Sequence, residues 1–554
     1  MTVNWSTAVI MRCSRRLTPH DMVMSSREIP KFKLPSKGIE AETAYQLIHD
    51  ILDLDGRENA NLASFVHTWA PVRVYAPVSA AEIFKSSNLT YLTKNNHVDT
   101  VIGRIPSNAG MCSFRTATTG SSEAIQLGGL AMKKIWQAKR KAAGKSIHEP
   151  GPNIVMGANA QVALEKFARY FDVEARLVPV SEETNYCMDP KKAMEYVDEN
   201  TIGVFVILGS TYTGHFEPVK PLSDLLDAYE AKTGISVPIH VDGVSFIRKA
   251  SGAFVAPFVY PELEWDFRLP RVVSINTSGH KFGLTYVGCG WIVWRDHTRL
   301  PKELIFELHY LGSVEYSFSL NFSRPAHPII HQYYNFVQLG FEGFRQVGLG
   351  DLSNARLLSR AIERSGYYKV ISDIHRKKVD MNKPRGQVPG PSDAKFEEYA
   401  MGLPVVAFCW TEEFKKKVGK MSSTPSIKAV MGSNPLRIVF HLSMNYVVPN
   451  YELPPDLEKL QILRVVVRES MSPELIDRLF ASLIEITESL MKEGGPGGYI
   501  DAMPKGKSHE HAFGNHQEGD ATKPVRWVLL LPMFLKAQHI HEIACPKFSY
   551  ARPC

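Results

Sequence analysis

From Ser121 onward the apolar positions switch between two spacings. In "SSEAIQLGGLAMKKIW", Ala124, Leu127, Ala131 and Ile135 recur at intervals of three and four, which predicts an amphipathic helix. "TIGVFVILGS" and "VPIHVDG" are instead short continuous apolar runs, the second closing on Asp242, as parallel strands covered on both faces require. Val272 to Ile275 and Gly290 to Trp294 read as two more strands, bounded by glycine-rich turns. Gln161 opens a further helical segment, "QVALEKFARYF". Strands alternating with helices predict a mostly parallel α/β sheet with right-handed crossovers. No repeat with a period of about 20–50 residues is present, which excludes a solenoid.

Near Gly348-Leu349-Gly350 the pattern changes, and a smaller α+β unit is expected to follow. Its clearest strand is "LQILRVVVRE". Its clearest helix is "SPELIDRLFASLIEITESLMKE", with Ser472 as N-cap before Pro473 and "GGPGG" ending it. The polar, Pro-rich stretch from Lys377 to Asp393 reads as a surface loop. The expected division is an N-terminal arm over 1–60, a large domain over 61–355, a small C-terminal domain over 356–505 and a tail over 506–554.

Composition changes this picture little. The chain has 554 residues, 44% hydrophobic and 22% charged, which is ordinary for a globular protein. Its net charge of +7 comes without a concentrated Lys/Arg block, so nucleic acid is not an expected partner. The seven cysteines are scattered and form no CxxC pair, which argues against a zinc site or a disulfide framework and for a reducing compartment. The longest apolar stretch, Val525 to Leu535, contains Arg526 and Pro532 and is too short to span a bilayer. Arg12, Arg15 and Arg16 lack the amphipathic pattern of a transit peptide, and a cytoplasmic protein is expected.

The candidate chemistry sits where predicted strands end. "SINTSGHKFG" puts Lys281 just after a buried strand, although most lysines lie in solvent and a plain turn lysine is the simpler reading. In open parallel sheets, ligands gather at the carboxyl ends of the strands. "TTGSSEA" runs a glycine into Ser121 and Ser122 at a helix start, which is either an N-cap or a phosphate cradle. Asp242 at its strand end either caps the next segment or holds a protonated ring nitrogen. "STYTG" supplies hydroxyls at another strand end, and Gln161 follows a third. A phosphate cradle, a strand-end carboxylate and a strand-end lysine, in that order, are the parts that pyridoxal 5'-phosphate (PLP) needs. The lysine amine would carry the aldehyde as a Schiff base and pass it to an amino acid.

Around these residues the chain resembles the glutamate decarboxylases, group II PLP-dependent decarboxylases of fold type I. The resemblance is carried by "TTGSSEAIQLGGLAMK", "TYTGHFEPVKPL", "WDFRLPRVVSINTSGHKFGLTYVGCGWIVWRD", "YLGSVEYSFSLNFSRPA" and "ILRVVVRES". It is dense over roughly residues 116–345 and thinner over 400–490. It implies a seven-stranded, mostly parallel sheet with a smaller α+β C-terminal domain. It also implies decarboxylation of L-glutamate to 4-aminobutanoate and CO2. Lys281 would carry the Schiff base, with Ser278 and His280 on the cofactor, Ser121 and Ser122 on its phosphate, Asp242 on its ring nitrogen and Gln161 against its ring. Thr211 would position the cofactor or substrate carboxylate, Arg464 would hold a substrate carboxylate, and Ser64 and Phe65 would touch the substrate side chain. Phe322 and Ser323 would reach into a neighbouring subunit's site, making a homodimer or larger assembly the working unit. Tyr310 and Leu311 match the mobile loop over the substrate, with Tyr310 or Lys281 as proton donor.

The chain departs from that pattern at 70–115, at 421–443, in the tail, and directly after Asp242. There the resemblance calls for Ala-Ala-Ser-Gly, and "GVSFIRKAS" intervenes before Gly252. An enzyme weaker than its motifs suggest is therefore expected. The rival readings are a PLP decarboxylase for another amino acid and an impaired PLP-fold protein acting as a binding partner.

Overall fold

The structure, a computed structural model, describes residues 36–53, 114–243, 252–281, 283–308, 315–321, 327–386, 394–421, 448, 450–454, 457 and 460–492. All of these fall in one compact unit, Met1–Ile500.

A seven-stranded sheet organises the first half. Its strands are β1 (Phe114–Thr118), β2 (Asn153–Gly157), β3 (Glu174–Val178), β4 (Thr201–Ile207), β5 (Ile239–Asp242), β6 (Val272–Ser278) and β7 (Gly290–Trp294), in the order β1-β7-β6-β5-β4-β2-β3. Every neighbouring pair is parallel except those of β7, which runs antiparallel to both β1 and β6. This is the mostly parallel α/β sheet that the alternating pattern predicts.

The continuous apolar runs are explained by cover on both faces. Val204 and Val206 of β4 join one core cluster with Val241 and Ile275, whereas their neighbours Phe205 and Ile207 join another with Ile125 and Phe167. Helices α2 (Ser121–Ala142) and α3 (Val162–Tyr170) supply the second layer, and α5 (Val219–Thr233) packs Leu222 and Leu226 into the first. The short α4 (Pro190–Ala193) starts at Asp189, whose side chain accepts from the Lys191 amide. Lys139, Arg140 and Lys141 crowd the last turn of α2, where the helix dipole favours cations.

After α6 (Gly252–Val259) and the hairpin β8 (Phe306–Leu308) and β9 (Glu315–Ser317), one long helix, α7 (His327–Arg364), leads to the second sheet. That sheet is antiparallel, ordered β10 (Tyr368–Val370), β11 (Val405–Trp410), β13 (Gln461–Val466) and β12 (Asn450–Glu452). α7 and α9 (Pro473–Lys492) cover it through Leu358, Ile362, Ile476, Leu479 and Leu483. α8 (Glu412–Met421) follows β11, and α1 (Ala41–Asp53) rests Ile48 on Ile330 and Tyr333 of α7. Ser472 caps α9 as its sequence predicts, with its Oγ accepting from the Leu475 amide at 3.3 Å.

The smaller α+β unit expected after Gly348-Leu349-Gly350 corresponds to this second sheet; the three residues themselves lie inside α7, which kinks at Gly340, where φ is 63°. The boundary expected at 355/356 also falls within that helix, so a helix joins the two sheets. Of the surface loop expected from Lys377 to Asp393, residues 377–386 are described and are mostly exposed, although the Arg385 side chain is only 7% exposed and is tied to Asp373.

Residues 244–251, the insertion after Asp242, lie outside the described residues. Its two ends are close together, with the Ala253 amide donating to the Gly243 carbonyl at 3.2 Å. A Cβ at position 243 would come within 2.5 Å of Ala253 Cβ and 2.8 Å of the Asn276 carbonyl, so this position suits glycine. Deleting 244–249 joins Gly243 to Ala250, close to the turn of the resembled family. Loop shortening of this size changes closure entropy by about 1 kcal/mol or less. The shortened protein is therefore expected to melt within about 5 °C of the full chain, as read by circular dichroism. A fall of about 15 °C or more would show that the segment is needed for folding.

Candidate active site

The carboxyl ends of β4, β5 and β6 and the amino end of α2 bring the predicted groups together. Asp242, the last residue of β5, has no exposed surface. Its carboxylate accepts from Gln161 Nε2 at 2.6 Å and from Asn276 Nδ2 at 2.8 Å. Gln161 precedes the first residue of α3, so its backbone position at the helix entry sets this reach.

Lys281 follows β6 in a turn closed by the Gly279 amide on the Cys289 carbonyl at 3.0 Å. The turn lies against Gln332 of α7, and a Cβ on Gly279 would stand 2.5 Å from Gln332 Oε1. Only 6% of Lys281 is exposed. Burial drives its amine down to about 7, against the opposing pull of the Asp242 charge. A lysine poised there holds a substantial neutral, nucleophilic fraction near neutral pH. His280 is also lowered, by burial first, and its Nδ1 lies 2.9 Å from the Cys289 carbonyl.

Ser121, at the cradle expected from the sequence, is the first residue of α2. Gly120, the residue before α2, offers no side-chain cap, so the first-turn amides are open to an anion. His280 borders it, since a Cβ on Gly120 would lie 3.8 Å from His280 Cε1. Glu123 turns away from the cradle, accepting from the Thr119 amide at 2.8 Å and from the Leu320 and Asn321 amides at 3.0 and 3.1 Å.

Thr211 lies in the loop after β4, and the second sheet fixes that loop. Arg464 of β13, itself 3% exposed, donates to the Thr211 carbonyl. Ser372 Oγ donates to the Thr213 carbonyl at 2.8 Å, and the Leu403 amide to the Gly214 carbonyl at 2.9 Å. His215 Nε2 meets Asp373 at 2.8 Å, and Arg376 and Arg385 bind the same carboxylate. Burial pushes Asp373 up, but the bonds to His215 and Arg385 outweigh it and hold the group well below the usual carboxylate range.

Ser64, Phe65, Tyr310, Leu311, Phe322 and Ser323 lie outside the described residues. A cavity of about 630 Å³ opens at the opposite, amino-terminal end of the strands, between Trp136, Arg140 and Arg271. Within it Arg271 pairs with Asp227 and Glu230, and Lys145 with Glu199. None of the predicted site residues lines it.

The sequence reading missed the polar residues behind Asp242. His240, Ser274 and Asn276 are fully buried. Their signal is the alternation His-x-Asp on β5 and Ser-x-Asn-x-Ser on β6, inside strands that are otherwise apolar. In a strand covered on both faces, such alternation marks hydrogen-bonding partners and not a solvent face.

Residues 96–381 match the pyridoxal-dependent decarboxylase conserved domain. The chain belongs to the pyridoxal-dependent decarboxylase family. The glutamate decarboxylase of Solanum lycopersicum is 42% identical over 83% of this chain and 83% of its own length. That of Saccharomyces cerevisiae is 40% identical over 83% and 79%. The solved glutamate decarboxylase of Lactobacillus brevis superposes with a TM-score of 0.60 at 31% identity, covering 84% of this chain and 96% of that one. An Oryza sativa TDC holding PLP and tryptamine shares the fold, with a TM-score of 0.55 at 16% identity.

PLP is the cofactor of this decarboxylase, and the residues present fit it. Beside the uncapped helix start and the buried amine, Ser278 Oγ is buried without a hydrogen-bond partner among the described residues. A lone buried hydroxyl costs about 1–3 kcal/mol, and a bound polar group would relieve that cost.

Burying Lys281 has a pH signature in the apoprotein. Its folded pKa, about 7, lies below the ordinary 10.5, so between those values the unfolded chain binds more protons and stability rises with pH. Lys281→Met is therefore expected to stabilise the apoprotein by a few kcal/mol, on the order of the shift itself, below pH ~7. The gain should shrink as the pH rises toward ~10. Denaturant unfolding of both apoproteins across that range measures it, and a pH-independent difference would show that the amine is not desolvated.

Proposed function

We propose that this decarboxylase removes the α-carboxylate of L-glutamate, giving 4-aminobutanoate and CO2. The observation that carries the reading is the pairing of a desolvated Lys281 amine with a fully buried Asp242 carboxylate at one end of the sheet, within a chain 42% identical to a glutamate decarboxylase. When bound, PLP supplies an electron sink for the bond broken at the substrate Cα.

The chain's own residues have separate tasks in this reading. Ser121, Ser122 and the first-turn amides of α2 bind the phosphate. Asp242 keeps a proton on the ring nitrogen, and Gln161 exchanges its hydrogen bond to Asp242 for packing against the ring. Ser278 and His280 hold the cofactor beside Lys281 Nζ. Thr211 and Arg464 receive carboxylates, for which a guanidinium fork is well suited. Lys281 Nζ, or the Tyr310 hydroxyl from a neighbouring subunit, returns the proton to Cα.

A homodimer or larger assembly completes the site, with Phe322 and Ser323 entering from the neighbour and Ser64 and Phe65 meeting the substrate side chain. Tyr286 and Val287, 65% and 81% exposed and close to Lys281 in sequence, give such an interface apolar surface to cover. No described helix is long and apolar enough to cross a membrane. Cys187, Cys289 and Cys409 are buried and form no disulfide among the described residues, which suits a reducing compartment, and we assign the enzyme to the cytoplasm.

The direct test is CO2 release by the purified, PLP-loaded protein from glutamate, aspartate, tyrosine and tryptophan. Release from glutamate alone is expected, and a loaded protein inert toward glutamate would overturn the reading. Asp242→Asn should keep part of the cofactor binding and lose turnover by about a hundredfold or more, the usual cost of removing an electrostatic partner of the transition state. Turnover within about twofold of the parent would reduce Asp242 to a structural cap.

A further inference from the structure

Behind the candidate site, four polar side chains line one face of two adjacent strands. In the parallel register of β5 and β6, His240 stands opposite Ser274 and Asp242 opposite Asn276. Ser274 Oγ lies 2.7 Å from His240 Nδ1, and His240 Nε2 lies 2.7 Å from Asn276 Oδ1. Asn276 Nδ2 then reaches Asp242 Oδ1 at 2.8 Å. None of the four is exposed at all.

We propose that His240 is a positioning residue that acts on the cofactor's ring nitrogen without touching it, by holding the Asn276 carboxamide in the one orientation that donates to Asp242. The inference rests on the reading that Asp242 partners that nitrogen.

An ionised carboxylate accepts only, so the asparagine must present its NH2 to Asp242 and its carbonyl to the histidine. The two ends of a carboxamide have nearly the same shape, so packing alone does not choose between them. A proton on His240 Nε2 does. With Nε2 protonated, a neutral ring leaves Nδ1 as an acceptor, and the Ser274 hydroxyl donates to it. Burial lowers the imidazole to about 4, which keeps it neutral with a single proton to place. O–H, N–H and N–H dipoles then all point toward Asp242 and stabilise its charge.

Among the described residues, no other hydrogen-bond partner of the ring is found. Phe205 meets it edge-on with centroids 5.0 Å apart. α2 presses so close that a Cβ on Gly128 would lie 2.7 Å from His240 Cε1. A histidine serving only as filler would be replaced by phenylalanine without consequence at the cofactor. A relay would not.

The experiment uses the PLP-loaded enzyme with 15N at the cofactor's ring nitrogen, whose chemical shift reports its protonation. Asp242→Asn tests the underlying reading and should move the resonance toward the unprotonated position. His240→Phe should move it in the same direction and weaken PLP binding by about tenfold, the loss of roughly one hydrogen bond to a charged group. His240→Gln, which keeps an N–H directed at Asn276, should recover most of both effects. If Asp242→Asn shifts the resonance while His240→Phe leaves resonance and PLP affinity at parent values, the relay is wrong and the role of Asp242 stands. If Asp242→Asn leaves the nitrogen protonated, the reading and the relay fall together. Should His240→Phe not fold, 15N shifts of His240 in the unmodified enzyme decide: Nε2–H is expected, and Nδ1–H would overturn the proposal.

Discussion

An ionised carboxylate with no exposed surface is expensive unless donors replace the water it loses, and Asp242 imposes that demand on everything near it. Gln161 and Asn276 provide the donors, one from the entry to α3 and one from the neighbouring strand. The second is available only while β5 and β6 keep the register that sets Asp242 opposite Asn276. His240 sits deeper in the same ladder, against Gly128 of α2. The amino end of that helix, which carries no side-chain cap, is where the proposed function places the cofactor phosphate. In the proposed function, the phosphate would bind at α2 and the ring nitrogen at β5, so the spacing that a rigid cofactor requires would follow from how α2 rests on β5.

The second sheet makes the other half of the arrangement. Asp373 gathers His215, Arg376 and Arg385, and its burial is tolerable because three cationic or hydrogen-bonding partners surround it. Together with Ser372, Leu403 and Arg464, this cluster grips the loop carrying Thr211. That loop belongs to the first sheet by sequence and to the second by its contacts. Substrate carboxylates, in the proposed function, would meet groups whose positions depend on both sheets at once.

Much of this was legible in the sequence, for physical reasons. Strands covered on both faces leave continuous apolar runs, and α2 announces itself through its three- and four-residue spacing. Lys281 and Asp242 stand out because each ends such a run. The Asp373 cluster was not legible: His215 and Asp373 are 158 residues apart, and no local spacing links them. His240 and Asn276 were visible as polar interruptions, yet only the strand register shows that they bond each other. Also not legible was which glycine of α7 kinks the helix. Gly340 is the one that kinks because the backbone of Lys37 and Gly38 packs against it, within 2.9 Å of where its Cβ would be.

The insertion after Asp242 can be weighed in the same terms. Bulky residues inside a tight turn should displace the carboxylate before them, which is why the sequence suggests a weakened enzyme. Both donors described at that carboxylate, however, come from elsewhere in the chain, and β5 holds Asp242 through its pairing with β4 and β6. Gly243 continues that hold, its amide bonded to the Asn276 carbonyl at 2.9 Å and its carbonyl to Ala253. The excursion thus begins only after the backbone has been tied on both sides. A length change placed beyond such a tie alters the loop's entropy more than the carboxylate's position. The strand and not the turn is then what orients the acid, and a sheet register is much harder to shift than a loop.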